Sequence, residues 1–411
     1  REELMWDEHI RLFIRPVYFQ PRGFMVIGKA LPSQIPGTWN RVVDLRSDIA
    51  TKPSLEMREV MMEALERSDI LDEDPEVNDL QNFAAEMLGM EAALFVPTGT
   101  MSNLIAVMVH CPERGDEMIV GDLSHLHIYE QGGSAQLAGV HTTTVTTLPD
   151  GTFDLEQLES RVRLFYPKPV FCHTRLICVE NTHNIRGGRV LPLDFLQELR
   201  ALADRHGLSV HMDGARLMNA AVAQGVAPST ILQYVHTVSV SLNKGLGAPV
   251  GNILAGPRDF ISRAVRCRKA LGGVLWQVGP LAAAGRLALV NMKNRLEKDH
   301  HNAKTFAQAL LDCGPHLFTL DLEAVETNIV RFYLKQNHWT PSEFCERMAQ
   351  VCEGEEAQLG QRIKVRMIVH VGNAVRAVWY HGISAEDTQL VIQKIQFVAS
   401  QKMESLKENQ M

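Results

Sequence analysis

The chain lacks paired cysteines: seven are scattered over 411 residues with no C-x-x-C spacing among them. Neither a disulfide framework nor a zinc site is indicated, and a reducing compartment fits best. A basic stripe is missing as well. With a formal charge of -7 and acids and bases interspersed, nothing is available to neutralise a phosphate backbone or to sit on an anionic bilayer, so no nucleic-acid partner and no membrane are expected. Long apolar runs are absent too, since Ile119 to Gly121 and Leu281 to Val290 are too short or too interrupted to span a bilayer. Nor is there an internal repeat, a low-complexity tract or a Gly/Ser linker, so the domains should be packed together.

What is present is a hydrophobic fraction of 45%, enough at this length for a large core in about two or three structural domains. Residues 1–40 are assigned no fold. They carry several Arg but also Glu2, Glu3, Asp7 and Glu8, whereas a transit peptide is poor in acids. A cytoplasmic location is therefore expected, with a mitochondrial one as the alternative.

From Pro75 the pattern alternates. Leu80, Phe83, Ala84, Met87 and Leu88 recur at helical spacing, Gly89 closes the helix, and Ala92 to Val96 suits a buried strand. The handover repeats with helix Leu104 to Val109 before strand Met118 to Val120, a helix led by Asp154 before Leu176 to Val179, and Phe195 to Ala203 before Leu208 to Met212. Val235 to Leu242 and Ile253 to Ala255 add two strands across a Gly-rich turn. Such repetition predicts an α/β fold with a large, mostly parallel sheet covered on both faces by helices. Pro257 to Ala309 reads as helical, followed by strands at Asn328 to Leu334, Ile363 to His370 and Val375 to Trp379 and a helix from Ser384. The expected division is 1–40 unassigned, 41–75 a segment near the active site, 76–290 a large α/β domain, and 291–411 a smaller α+β domain.

Open sheets of this kind bind ligands beyond the carboxyl ends of their strands, and the suggestive residues fall there. Pro97-Thr98-Gly99-Thr100 follows a strand and opens a helix, where free N–H groups make a phosphate cradle, or merely a turn. Asp213 ends an apolar strand, so a cation should face it: a protonated pyridine nitrogen, Arg216, or a helix N-terminus. Lys244 stands in Ser241-Leu242-Asn243-Lys244-Gly245-Leu246-Gly247. Desolvation there would lower its pKa and let the amine condense with an aldehyde. His125 and His127 follow a further strand, and one of their imidazoles could stack on an aromatic cofactor or simply hydrogen-bond a loop. His183, in Glu180-Asn181-Thr182-His183-Asn184, is a candidate base for a substrate hydroxyl. No ligand at helical spacing supports a metal there.

The order of these parts resembles that of the fold type I pyridoxal phosphate enzymes, and more closely the L-threonine aldolases, from Val42 to the last helix. The most specific stretches are Asp44-Leu45-Arg46-Ser47-Asp48, Glu73-Asp74-Pro75-Glu76-Val77-Asn78, Pro97-Thr98-Gly99-Thr100, Glu180-Asn181-Thr182-His183-Asn184, His211-Met212-Asp213-Gly214-Ala215-Arg216 and Asn243-Lys244-Gly245-Leu246-Gly247. The resemblance implies that Lys244 carries pyridoxal 5′-phosphate, Asp213 pairs with its ring nitrogen, His125 stacks on the ring, and Gly99 and Thr100 bind its phosphate. It likewise implies that Ser47, Arg216 and Arg376 hold a substrate carboxylate and that His183 meets the β-hydroxyl. The implied activity is cleavage of L-threonine or L-allo-threonine to glycine and acetaldehyde. The alternatives are a related β-eliminating or serine hydroxymethyltransferase-like lyase and a catalytically weakened relative. A homo-oligomer, dimer or tetramer, is the family's habit. Two positions depart from the family pattern: Leu71 where a Tyr is usual, and Trp276 where an Arg helps hold the phosphate.

Overall fold

A computed structural model describes residues 40–65, 74–164, 170–314, 316–335 and 339–408. Leu71 and residues 1–39 therefore lie outside the described residues. The strands, in chain order, are β1 (Arg41–Asp44), β2 (Ala92–Val96), β3 (Asp116–Gly121), β4 (His141–Val145), β5 (His173–Glu180), β6 (Ser209–Asp213), β7 (Thr237–Ser241), β8 (Asn252–Gly256), β9 (Phe318–Thr319), β10 (Ile329–Leu334), β11 (Ile363–Arg366), β12 (Ile368–His370) and β13 (Ala374–Val378).

The central sheet runs in the order β2-β8-β7-β6-β5-β3-β4. Only β8 is antiparallel to its neighbours; the pairs along β7-β6-β5-β3-β4 are parallel. Parallel strands buried on both faces need apolar side chains pointing both ways, and Ile177, Cys178 and Val179 of β5 supply them. The crossover helices are punctuated as their sequence dictates. Asp74, Thr98 and Asp154 cap N-termini with their side chains, and Gly89, Gly207 and Gly225 end helices in the left-handed conformation.

A second core lies around Phe306, Phe318, Phe332, Phe344 and Trp379, under the sheet β12-β13-β10-β9. Residues of the helix Met292–Asp312 serve both cores, Leu296 the first and Ala303, Phe306 and Leu310 the second. The run Ile363 to His370, expected as one strand, is two. β11 pairs in parallel with β1, whereas β12 pairs with β13. The switch comes at Met367, which is 5% exposed and hands the chain from one sheet to the other. No helix among the described residues is long and apolar enough to cross a membrane.

Candidate active site

Because β7, β6, β5 and β3 are consecutive and parallel, the residues that leave their carboxyl ends become neighbours. Lys244 follows β7, Asp213 ends β6, Glu180 ends β5 directly across from Asp213, and His125 follows β3. Gly99 is brought in from β2 by the antiparallel β8. A Cβ on Gly99 would stand 3.3 Å from Asn252 Nδ2 and 3.5 Å from Ser241 Oγ, so glycine lets this backbone sit close against the strand that leads to Lys244 without displacing Asn252. The helix Gly99–His110 starts here, with Thr98 Oγ1 accepting from Met101 N–H at 3.2 Å. The N–H groups of Gly99 and Thr100 are left at its positive end, beside the exposed Thr100.

The Lys244 ammonium makes no hydrogen bond or ion pair with a described residue, while the Lys244 carbonyl accepts from Gly247 N–H at 2.9 Å. Burial and the nearby Arg216 guanidinium hold its ammonium below the usual lysine range, against the opposing pull of Asp213, Asp48 and Glu180. Asp213 is 3% exposed and accepts only neutral donors: Asn103 Nδ2 at 3.1 Å and Ala215 N–H at 3.1 Å. A buried carboxylate without a cation is costly. Arg216, the plain alternative partner, makes no hydrogen bond to Asp213, although its charge and that of Lys244 both act on the carboxylate.

Arg216 instead grips Asp48, Nε to Oδ2 at 2.7 Å and Nη2 to Oδ1 at 2.9 Å, both residues buried. With Nε and Nη2 spent on Asp48, Nη1 is the part of Arg216 left for the substrate carboxylate the resemblance implies it helps hold. Arg376 remains better placed. Its Nη1 donates to Asn184 Oδ1 at 2.7 Å and its Nη2 to the Arg46 carbonyl at 3.1 Å, while Nε is buried without a partner. Burial and Arg216 push Arg376 down to about 10, so an anion is wanted here. Ser47 caps the short helix Asp48–Ala50 through a 3.4 Å bond from Ile49 N–H, weak enough for the hydroxyl to turn to a ligand.

The two histidines differ in polarity. His125 Nδ1 lies 2.9 Å from Glu130 Oε1; a carboxylate can only accept, so Nδ1 carries the proton and Nε2 is the free acceptor of the neutral ring. Burial would lower the His125 pKa, but Glu130, Asp213 and Glu180 outweigh it and raise it. His183, 3% exposed, accepts at Nδ1 from Arg186 N–H at 3.4 Å, which places its ring proton on Nε2. His127, the other candidate for stacking, has no hydrogen bond to any of these groups.

Three of the groups that matter most had no role assigned from sequence: Asn103, Glu130 and Asp48. Asn103 lies one helical turn past Gly99, which is the one signal that could have found it. Oxygen and nitrogen atoms of His125, Glu130 and Asp213 come within 4.8 Å of one another, a spacing a metal could use. The Asn103 amide, however, points its hydrogens at both carboxylates, with Glu130 Oε1 2.9 Å away, and those hydrogens would repel a cation. Trp276 is 73% exposed, with Lys269 Nζ 5.9 Å over its ring. It lies on the surface rather than among these residues.

An amine stripped of water, an acid needing a cation, and a glycine corner at a helix N-terminus, all on one sheet edge, define a pyridoxal-phosphate-dependent lyase of fold type I. The profile of the β-eliminating lyases matches residues 44–336. A probable low-specificity L-threonine aldolase of Arabidopsis thaliana is 42% identical over 86% of this chain and 96% of its own. The low specificity L-threonine aldolase of Escherichia coli is 40% identical over 84% and 96%. Among solved structures, the threonine aldolase of Leishmania major superimposes with a TM-score of 0.69 over 87% of this chain and 99% of that one, at 16% identity. The chain belongs to the threonine aldolase family of β-eliminating lyases. The residues fit that family's cofactor: Lys244 would hold its aldehyde carbon, Asp213 would face its ring nitrogen, and Gly99 with Thr100 would take its phosphate.

Proposed function

We propose that this enzyme cleaves L-threonine or L-allo-threonine to glycine and acetaldehyde, in threonine breakdown and glycine formation. The observation that carries the reading is the meeting of Lys244 and the buried Asp213, at the carboxyl ends of the central strands, with the unpartnered Nε of Arg376 brought in from β13, in a chain at least 40% identical to aldolases named for threonine. Breaking the bond between the α and β carbons leaves an electron pair no side chain can absorb, and bound pyridoxal phosphate supplies the sink.

The chain's own residues do the rest. Arg376 and Ser47 hold the substrate carboxylate, which fixes which bond at the α carbon stands ready to break. His125 Nε2 takes the β-hydroxyl proton, since it is the free acceptor of a ring whose other nitrogen is committed to Glu130. His183 donates from Nε2 to the hydroxyl oxygen and orients it. In this reading His183 keeps the contact with the β-hydroxyl that the resemblance implies, and His125 adds the proton transfer to its place at the ring. Asp48 keeps Arg216 rigid beneath the carboxylate site.

The Arg376 contact is charge-assisted and worth about 1.5–3 kcal/mol, so Arg376→Ala should lower kcat/KM for threonine on the order of ten- to hundredfold. Unchanged efficiency would remove Arg376 from its role. The assay that tests the whole reading is incubation of purified protein and pyridoxal phosphate with each threonine diastereomer, phenylserine and tyrosine, measuring glycine, aldehyde and pyruvate. Absence of glycine from threonine, or pyruvate from tyrosine, would reject it.

A homo-oligomer, dimer or tetramer, is part of the proposal. Leu55, Met62 and Leu65 at one helix and Val290 at the end of its packing partner are between 53% and 75% exposed, a coverage cost one chain does not meet. Sedimentation giving a lone 46.0 kDa species would count against it. Seven free thiols support placing the enzyme in the reducing cytoplasm.

A further inference from the structure

Behind the acid that faces the cofactor lies a line of buried polar side chains that the reaction as described does not use. His110 Nε2 is 2.8 Å from Thr237 Oγ1, Thr237 Oγ1 is 2.9 Å from His211 Nδ1, and His211 Nε2 is 3.1 Å from Asn103 Oδ1. Asn103 Nδ2 then reaches Glu130 Oε1 at 2.9 Å and Asp213 Oδ2 at 3.1 Å. Thr237 and His211 are fully buried and Asn103 is 1% exposed. Four elements contribute: the helix Gly99–His110 gives both ends of the line, β6 gives His211, β7 gives Thr237, and the loop after His125 gives Glu130.

The polarity of every link follows from the last one. Two carboxylates can only accept, so the Asn103 amide must turn its NH2 toward them and its oxygen toward His211. His211 must then donate from Nε2. Burial pushes the His211 pKa down to about 4, so the ring is neutral and its Nδ1 must accept, and the Thr237 proton goes there. Thr237 Oγ is left to accept from His110 Nε2–H, and burial, with the neighbouring His211, holds His110 well below the usual histidine range, neutral as well. Each donor therefore points the same way, and bonds aligned in series strengthen one another.

We propose that His110, Thr237, His211 and Asn103 form a one-way hydrogen-bond chain that ends on Glu130 and Asp213 and positions both for the cofactor, Asp213 against its ring nitrogen and Glu130 through His125. The proposal rests on the cofactor placement given above. Asn103 is its branch point and a positioning residue, since it touches only the two acids and His211. The chain explains why a histidine and a threonine, both polar, occupy strand positions with no access to solvent: they turn three neutral groups into an oriented dipole aimed at the acid.

The test begins with the unaltered protein, labelled with 15N at histidine. The Nε2–H, Nδ1-acceptor tautomer is expected for His211 at neutral pH; the opposite tautomer, or a protonated ring, overturns the chain. This result does not depend on cofactor binding, so a protein that takes up no pyridoxal phosphate would sink the proposed function while leaving the chain to be judged by its tautomer. The second arm compares Thr237→Val with Thr237→Ser. Valine breaks the middle link at nearly constant volume and is expected to weaken pyridoxal phosphate binding about three- to tenfold, the equivalent of one lost hydrogen bond, and to shift the visible absorption band of the bound cofactor. Serine should restore both. A purely structural threonine would lower the unfolding temperature without moving the Kd or the band, and that outcome overturns the proposal. Should the valine variant not fold, His110→Phe breaks the outer link against Phe260, whose ring lies 4.8 Å from that of His110. It should shift the Kd in the same direction by less, and no shift would again refute the chain.

Discussion

The site is an arithmetic of buried charges, and single residues show it. Asp48 and Arg216 meet across 168 positions of sequence, fully out of solvent, so removing one strands the other. Asp48→Ala should destabilise the fold by about 3–5 kcal/mol, read from denaturant unfolding; a loss under about 1 kcal/mol would mean that Arg216 finds another anion. Burial works to raise the Asp48 pKa, but Arg216, Lys244 and Arg376 win and leave it below its ordinary 3.8. The pair thus contributes stability above that value and loses it as pH falls through the depressed one. His125 behaves oppositely. Its raised pKa means that the neutral base forms only above the ordinary histidine value, so the acid limb of kcat/KM should lie above about pH 6.5. Glu130→Gln removes a charge that raises it and should move that limb to lower pH. A limb that stays put would show that another group is titrating.

At the scale of elements, the turn joining β7 to β8 decides whether Lys244 is delivered to the sheet edge. Gly251 closes this turn at φ +112, its carbonyl accepting from Leu242 N–H at 3.0 Å. A Cβ there would lie 2.4 Å from Phe95 Cε2. Gly251→Ala therefore combines a disallowed backbone with overpacking and should cost about 1–3 kcal/mol or more. Thermal unfolding with and without pyridoxal phosphate checks it: the variant should lose cofactor binding along with stability, and full binding would mean the turn does not set the position of Lys244. The same scale explains where the strand pattern misled. Alternating apolar residues from Ile363 to His370 predict extended chain, but periodicity carries no information about which neighbour each half will pair with, and β1 and β13 each claim one half.

For the whole molecule, the long helix Met292–Asp312 fastens the two cores together, and it carries an uncompensated acid. Asp299 is 2% exposed, with Oδ2 unpartnered; burial raises its pKa to about 8 despite Arg295. In the unfolded chain it ionises near 3.8, so between these values folding must hold a proton that the unfolded state has released, and stability falls with rising pH until both states are ionised. Asp299→Asn should leave stability unchanged near pH 3 and raise it at pH 8, each unit of the interval being worth about 1.4 kcal/mol. Equal stability of the two proteins across that range would show that the carboxylate finds a partner.

The sequence by itself determined the parts that are local in cause. Helix caps, the glycine corner, the apolar strands and the polar residue at the end of each one were legible because side-chain type and spacing fix them within a few residues. Gly99, Asp213 and Lys244 could be picked out for that reason. Only the tertiary structure decided the partners: that Arg216 belongs to Asp48, that Asn103 reaches Asp213 across 110 positions and ties it to Glu130, and that His125 rather than His183 keeps a free acceptor. Those facts depend on which strands lie side by side and which hydrogens are already spent. No local pattern encodes that, because each choice is settled by burial shared among segments far apart in the chain.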